Sequence, residues 1–323
     1  MSFRILTASD VRAALTMPDA IAAMRVAFGE FSAGRAVVPL RSRLASSQGV
    51  TLVMPALMAE KGALGVKIVS IFEKNLAQGL PTVTAAVLVL DPANGVPLAV
   101  MDGTGMTALR TGAAGGLAAD LLARKDAAVM ALFGAGVQAR TQLAAVRAVR
   151  DITRVNLVDP DEKAAMALMA EVAASQNAPA ITYFNDVNDA VAEADIVAAA
   201  TTARKPVFDG RSLRPGTHVT GVGSFTPEMQ EIDAETIRRA RVVVDSREAC
   251  AAEAGDLIVA GALGRIAAEI GEIVNGQQPG RRDDEEITYF KSVGLAVQDA
   301  AAAAAVLKAA QAKDLGRVVA LSA

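Results

Sequence analysis

Ala127-Ala128-Val129-Met130-Ala131-Leu132-Phe133-Gly134-Ala135-Gly136-Val137-Gln138-Ala139 is the stretch from which the fold is read. Its apolar run reads as a buried strand, and residues 137–150 continue as a helix. Between them stands Gly-x-Gly-x-x-Ala, a weak signal by spacing alone that gains force from its strand–turn–helix setting. Gly134 permits the tight turn, Gly136 lets a pyrophosphate approach the backbone, and Ala139 lets helix and strand pack closely. Val137 and Gln138 open the helix, whose N-terminus favours phosphate. An acid is expected roughly 20 residues on, at the end of the next strand, and Asp159 stands there in Val155-Asn156-Leu157-Val158-Asp159. Its carboxylate suits the adenosine ribose hydroxyls and repels a 2′-phosphate, as does Asp161. The reading is an NADH site, with NADPH as the alternative; a turn glycine pair in a generic α/β protein is the plainer one.

Working outward, the same rhythm repeats. Residues 154–158, 180–184, 196–199, 218–222 and 241–244 read as strands and 161–174 as a helix. Such alternation predicts an α/β fold with a doubly wound parallel (Rossmann) sheet. Residues 287–290 read as a strand, 295–312 as an alanine-rich helix, and the charged run 281–286 as a solvated loop. Upstream, the first 30 residues read as helix, with Val11, Leu15, Ile21, Met24 and Phe28 at helical spacing and Pro18 suited to a helix start. Residues 37–44, 51–54, 63–71, 82–90 and 97–101 read as strands of an antiparallel or mixed sheet. Asp91-Pro92-Ala93-Asn94-Gly95 is a hairpin-type turn, and 107–124 a small-residue helix. The simplest organisation is a Rossmann domain (116–304) inserted into a smaller α+β domain (1–115 with 305–323). Catalysis is then expected in the cleft between them.

Composition narrows the chemistry. With one Cys and one His in 323 residues there is no structural zinc set and no disulfide framework, which suits a reducing, cytoplasmic compartment. A net charge of −3 and only 3% aromatic residues argue against nucleic acid as partner. No apolar run approaches the roughly 18 residues of a membrane span, and the N-terminus carries no signal pattern. Chemistry is left to Lys, Arg, acids or a borrowed cofactor.

Further stretches carry a resemblance. Pro39-Leu40-Arg41, Val53-Met54-Pro55-Ala56, Gly65-Val66-Lys67, Gly79-Leu80-Pro81-Thr82 and Met101-Asp102-Gly103 are followed by Thr107-Ala108-Leu109-Arg110-Thr111-Gly112-Ala113. With the glycine motif, Glu253-Ala254-Gly255-Asp256 and Thr288-Tyr289-Phe290-Lys291-Ser292-Val293-Gly294, they make the chain resemble the ornithine cyclodeaminase/mu-crystallin family from end to end. The resemblance implies that Arg41 and Arg110 clamp a substrate carboxylate, for which a guanidinium fork is well shaped. It implies that Lys67 lies beside the reacting carbon and nitrogen as the catalytic group. By pattern alone Lys67 would equally be a strand lysine facing solvent, Arg110 a helix-surface ion pair, and Arg43 an alternative to Arg41. The resemblance also implies cofactor contacts from Thr201, Val222, Gly223, Ser292 and Gly294, each of which reads otherwise as a turn or core residue.

The chain departs from the cyclodeaminase pattern at one place. Where such enzymes carry Asp in G-x-D-x-P-G-K-x-E, the segment reads Gly223-Ser224-Phe225-Thr226-Pro227-Glu228-Met229-Gln230-Glu231. Phe225 handles neither an amine proton nor water and would wall a ring or short side chain. The chain is in this respect similar to ketimine reductases such as those acting on pyrroline-2-carboxylate. The expected activity is hydride transfer to the C=N of a small, cyclic imino acid, giving an L-amino acid, in a homodimer. Reduction of iminosuccinate, with Arg43 or Lys74 as extra cation, reductive amination of a 2-oxo acid, and non-catalytic ligand binding are the alternatives. His218 reads as a structural residue and Cys250 as a buried, inert thiol.

Overall fold

A computed structural model describes residues 2–321. The chain opens with β1 (Ser2–Leu6), α1 (Ala8–Ala14) and α2 (Met17–Ser32), then β2 (Ser42–Ala45), β3 (Val50–Met58), β4 (Ala63–Ile71), β5 (Val83–Leu90) and β6 (Pro97–Asp102). The long α3 (Gly103–Leu122) precedes β7 (Val129–Phe133), α4 (Val137–Arg147), β8 (Arg154–Val158), α5 (Glu162–Ala173) and β9 (Ala180–Tyr183). There follow α6 (Val187–Ala192), β10 (Ile196–Ala199), β11 (His218–Gly221), α7 (Ala234–Arg239) and β12 (Arg241–Val244). Then come α8 (Arg247–Glu253), α9 (Gly255–Val259), β13 (Ile266–Glu269), α10 (Ile270–Val274), β14 (Thr288–Lys291), α11 (Ala296–Ala312) and β15 (Arg317–Ala320).

Two compact units result: Met1–Arg110 with Leu295–Ala323, and Thr111–Gly294. The return to the first unit falls at Leu295, where α11 begins, ten residues ahead of the boundary read from sequence, so the whole of α11 belongs to that unit.

The first unit holds a seven-stranded sheet in the order β15-β1-β6-β5-β4-β3-β2. Only β1 and β6 run parallel; the rest is an antiparallel meander. The opening residues are not all helix. Ser2–Leu6 is a strand between β15 and β6, and helix starts at Ala8, capped by Thr7 in a reciprocal box with Asp10. Thr16 caps α2, with proline in its first turn. Of the 37–44 strand expectation, the ladder begins only at Ser42, while Val37 makes one isolated bridge to Leu57. Alternation along β4 puts Gly65, Lys67 and Val69 on one face, toward α11. Gly65 matters there: a Cβ would sit 3.6 Å from the Ala300 Cα, so helix and strand nearly touch.

The second unit holds an eight-stranded, wholly parallel sheet, β13-β12-β14-β11-β10-β7-β8-β9. Its central strands β10, β11 and β14 are buried throughout, as a sheet covered on both faces requires. Met130, Leu132, Val155, Leu157, Ile196 and Ala198 pack with helix residues such as Leu143 and Leu168 into one core. Sequence periodicity did not register β13 or β15. The charged run near 281 is not simply solvated: Arg281 is half-buried and donates to the carbonyls of Leu122, Gly216 and Asp283. Among the described residues no helix is long and apolar enough to cross a membrane.

Candidate active site

In the second unit, β7 ends in Phe133 and the chain turns at Gly134, whose φ of +103° a side chain would resist. A Cβ there would also lie 2.7 Å from the Ala200 carbonyl oxygen. The Gly134 N–H donates to the Val158 carbonyl at 2.9 Å, tying the turn to β8. Gly136 is the N-cap of α4 and offers no side-chain cap; a Cβ on it would meet nothing within 4 Å. The helix start at Gly136 is thus uncapped and open beside its Cα, which suits a phosphate. Val137 is 66% exposed at the same helix start, and the half-buried Gln138 keeps a buried Oε1 without a hydrogen bond. Asp159 follows β8 directly. It accepts from the Ala135 N–H at 2.6 Å and from the Asp161 N–H at 2.7 Å, so it shapes the turn while keeping lone pairs for other donors. Gly134, Gly136, Asp159, Tyr183 and Thr201 line one cleft of about 810 Å³. This donor set fits a dinucleotide.

The remaining predicted cofactor residues sit at the C-terminal ends of neighbouring strands. Thr201 follows β10, Val222 and Gly223 follow β11, and Ser292 and Gly294 follow β14. The half-buried Val222 donates to the Ala199 carbonyl at 3.1 Å. Phe225 lies on the loop after β11 and is 39% exposed, in the second unit.

In the first unit, the strand lysine does not face solvent. Lys67, at the centre of β4, is 2% exposed, and its Nζ lies 2.7 Å from Asp299 Oδ2. Arg110, near the middle of α3, is also buried and donates from Nε to the other oxygen, Asp299 Oδ1, at 3.1 Å. Its Nη1 donates to Gln298 Oε1 at 3.1 Å, and neither bond uses the Nη2 hydrogens. Asp299 Oδ2 is taken up by Lys67 and Oδ1 by Arg110. One carboxylate thus serves two buried cations. Burial pushes the Lys67 ammonium down first, and the Arg110 charge pushes it further. The Asp299 carboxylate holds it up and Arg41 adds a smaller downward push, leaving a pKa of about 8. Arg41 is half-buried just ahead of β2, whereas Arg43 is exposed on that strand.

Sequence reasoning missed Asp299 and Gln298. The signal was present: a lone carboxylate opening a helix of alanines, Val297-Gln298-Asp299-Ala300, easily taken for a first-turn acid on the helix dipole. It also missed three buried acids of the second unit, Glu231, Asp245 and Asp256. His218 is wholly buried, its ring nitrogens 2.9 Å and 3.0 Å from the hydroxyls of Thr288 and Thr220, and burial pushes its pKa down to about 3. Cys250 is buried and its thiol is pushed well up by burial.

A family model described as ornithine cyclodeaminase/mu-crystallin matches residues 1–314. A Delta(1)-pyrroline-2-carboxylate reductase from Bacillus cereus is 41% identical over 303 residues, covering 91% of this chain and 93% of that protein. The structure of Thermococcus litoralis Delta(1)-pyrroline-2-carboxylate reductase in complex with NADH and L-proline superposes with a TM-score of 0.93 at 41% identity, over 97% of this chain and 99% of that one. An archaeal alanine dehydrogenase dimer with bound NAD gives a TM-score of 0.93 at 37% identity, over 100% of both chains.

Proposed function

Because the chain belongs to the ornithine cyclodeaminase/mu-crystallin family, we propose that it is an NADH-dependent ketimine reductase acting on a small cyclic α-imino acid such as pyrroline-2-carboxylate. The observation that carries this reading is the buried Lys67–Asp299–Arg110 cluster, on a chain 41% identical to a reductase of that substrate. Reduction of C=N adds a hydride to carbon and a proton to nitrogen, and bound NADH supplies the hydride. The chain's own residues do the rest. Arg110 is anchored through Nε and Nη1 and offers its Nη2 hydrogens to the substrate carboxylate, with Arg41 as the second cation. Lys67, with a pKa of about 8, is mostly protonated at neutral pH and is suited to hold or deliver the nitrogen's proton. Asp299 holds both cations in position through its two oxygens. The Gly134–Gly136 turn takes the pyrophosphate, and Val137 and Gln138 flank it. Asp159 takes the ribose hydroxyls and disfavours NADPH. Phe225 stands, on the loop after β11 of the second unit, where cyclodeamination would need an acid.

A homodimer is supported by the dimeric alanine dehydrogenase and by the face of the first sheet opposite Lys67. There Ile68 is 48% and Leu44 63% exposed on the two strands that flank β3. A cytoplasmic location fits a lone reduced thiol. The test is NADH consumption with pyrroline-2-carboxylate, piperideine-2-carboxylate, iminosuccinate, and pyruvate with ammonia. Turnover on the cyclic imines, lost in Lys67→Ala and Arg110→Ala with NADH binding kept, is expected. Wild-type rates in both variants would overturn the site, and turnover of iminosuccinate or pyruvate alone would overturn the substrate class.

A further inference from the structure

The loops that follow β10, β11 and β14 are each held by a buried acid. Glu231 has no exposed surface. Its Oε1 accepts from the Thr201 N–H at 2.6 Å and hydroxyl at 2.7 Å, and its Oε2 from the N–H groups of Gly223 at 2.6 Å and Ser224 at 3.1 Å. One side chain thus ties the loop after β10 to the loop after β11. Asp245, at the end of β12, does the same for β14. Its Oδ2 accepts from the Ser292 hydroxyl and from the N–H groups of Val293 and Gly294, each at 2.8 Å. Behind Glu231 stands a third acid. Asp256 Oδ1 accepts from the backbone N–H of Glu231 at 2.7 Å and of Ile232 at 3.0 Å, and its Oδ2 faces Lys291 Nζ at 2.8 Å and the Tyr289 hydroxyl at 3.1 Å.

Every partner of Glu231 and of Asp245 Oδ2 is a donor, so the bonds suit ionised carboxylates. Burial pushes Glu231 toward protonation, and the Lys291 charge and the Thr201 bonds oppose it. Burying three carboxylates against one ammonium costs more than an apolar core would, which points to a positional purpose. The place in the sheet supplies it. In a doubly wound sheet a dinucleotide lies across the C-terminal strand ends, with its pyrophosphate at the first turn. Asp159 marks the adenosine side at β8; β10, β11 and β14 lie on the other side of β7, where the nicotinamide half belongs.

We propose that Glu231 and Asp245 are positioning residues for the nicotinamide half of the cofactor, fixing in advance the three loops that receive it. This rests on the reading of the second unit as an NADH site. The test compares NADH with ADP-ribose, which lacks the nicotinamide ring, by calorimetric titration of the full-length protein. Losing one or two charge-assisted supports of a loop should weaken NADH about tenfold or more in Glu231→Gln and in Asp245→Asn. ADP-ribose should bind within about twofold of wild type, because the Gly134 turn and Asp159 are untouched. Equal loss of both ligands, or no loss of either, overturns the proposal. Binding of neither ligand by the wild type would instead refute the dinucleotide reading beneath it. Hydrogen exchange on the unsubstituted, ligand-free protein gives a check that needs no variant to fold. The amides of Thr201, Gly223, Val293 and Gly294 should be as protected as those of β11, and rapid exchange there refutes pre-fixed loops.

Discussion

Replacing Asp299 with Asn should turn the proposed enzyme from one that works across neutral pH into one confined to acid. Lys67 Nζ and Asp299 Oδ2 are 2.7 Å apart, and two unit charges at that distance attract by about 6 kcal/mol at an effective dielectric of about 20. Asparagine keeps the shape and a dipole. Allowing two thirds of the attraction to be recovered by that dipole and by water leaves a loss of about 2 kcal/mol, or about 1.5 pKa units. The opposing pushes from burial and Arg110 remain, so the ammonium falls from about 8 to about 6.5. The protonated form is the one needed to supply a proton. Near pH 7.5 its fraction drops about eightfold, while near pH 6 both proteins remain mostly protonated and the loss is less than about twofold. The assay is kcat against pH with pyrroline-2-carboxylate and saturating NADH. The alkaline limb should move toward acid by about 1.5 units, while KM rises separately because Arg110 loses its Nε acceptor. An alkaline limb that stays near its wild-type position, or a loss of kcat equal at both pH values, refutes the idea that Asp299 sets the charge of Lys67.

Three further outcomes are expected. Gly134→Ala would force a Cβ to 2.7 Å from the Ala200 carbonyl oxygen at a φ of +103°; it should cost about 2 kcal/mol or more in thermal melts and abolish NADH binding. Asp159→Ser should bring NADPH binding up to the level of NADH or above it by removing the like charge that faces a 2′-phosphate, read as the ratio of the two affinities. His218 stays neutral in the fold, with a pKa of about 3, while the unfolded chain takes up a proton below about 6.5. Stability should therefore be unaffected by this residue above that pH and should fall as pH drops from about 6.5 toward 3. His218→Gln should flatten that part of the melting-temperature profile, and a profile identical to wild type would refute it.

How far the sequence reached depended on the kind of signal each residue left. The strand–Gly-x-Gly–helix–acid succession is local, and the turn at Gly134, the helix start at Val137 and the position of Asp159 were legible from it. So were β4, β8, β10 and β12, whose apolar runs are bounded by turn residues. Ser2–Leu6 was read as helix because its one buried residue, Leu6, leaves no alternation to detect, and it becomes a strand only by pairing with segments about 95 and 315 residues away in sequence. Lys67 and Arg110 were singled out through resemblance, not periodicity, since a lysine in a strand leaves burial undecided. Asp299 was missed for a related reason. Its meaning lies in a contact 189 residues back in the chain, and locally it is just an acid in the first turn of a helix. Glu231, Asp245 and Asp256 likewise acquire their roles only when loops from several strands converge.

The closing helix and strand carry a consequence for how the protein is made. Thr111–Gly294 is one continuous segment, able to condense on the ribosome once it has emerged and β14 has closed the gap between β11 and β12. The first unit is not. Its lysine has no counter-charge until Asp299 is translated, and β1 has no outer neighbour until Arg317–Ala320 arrives. Until then β4 carries an ammonium on the face that α11 will cover, and β1 keeps an open, adhesive edge. Synthesis slowed before the final segment would therefore leave a nascent chain whose second unit can fold while Lys67 and β1 still lack their partners, a window in which a chaperone would be expected to act on the N-terminal third.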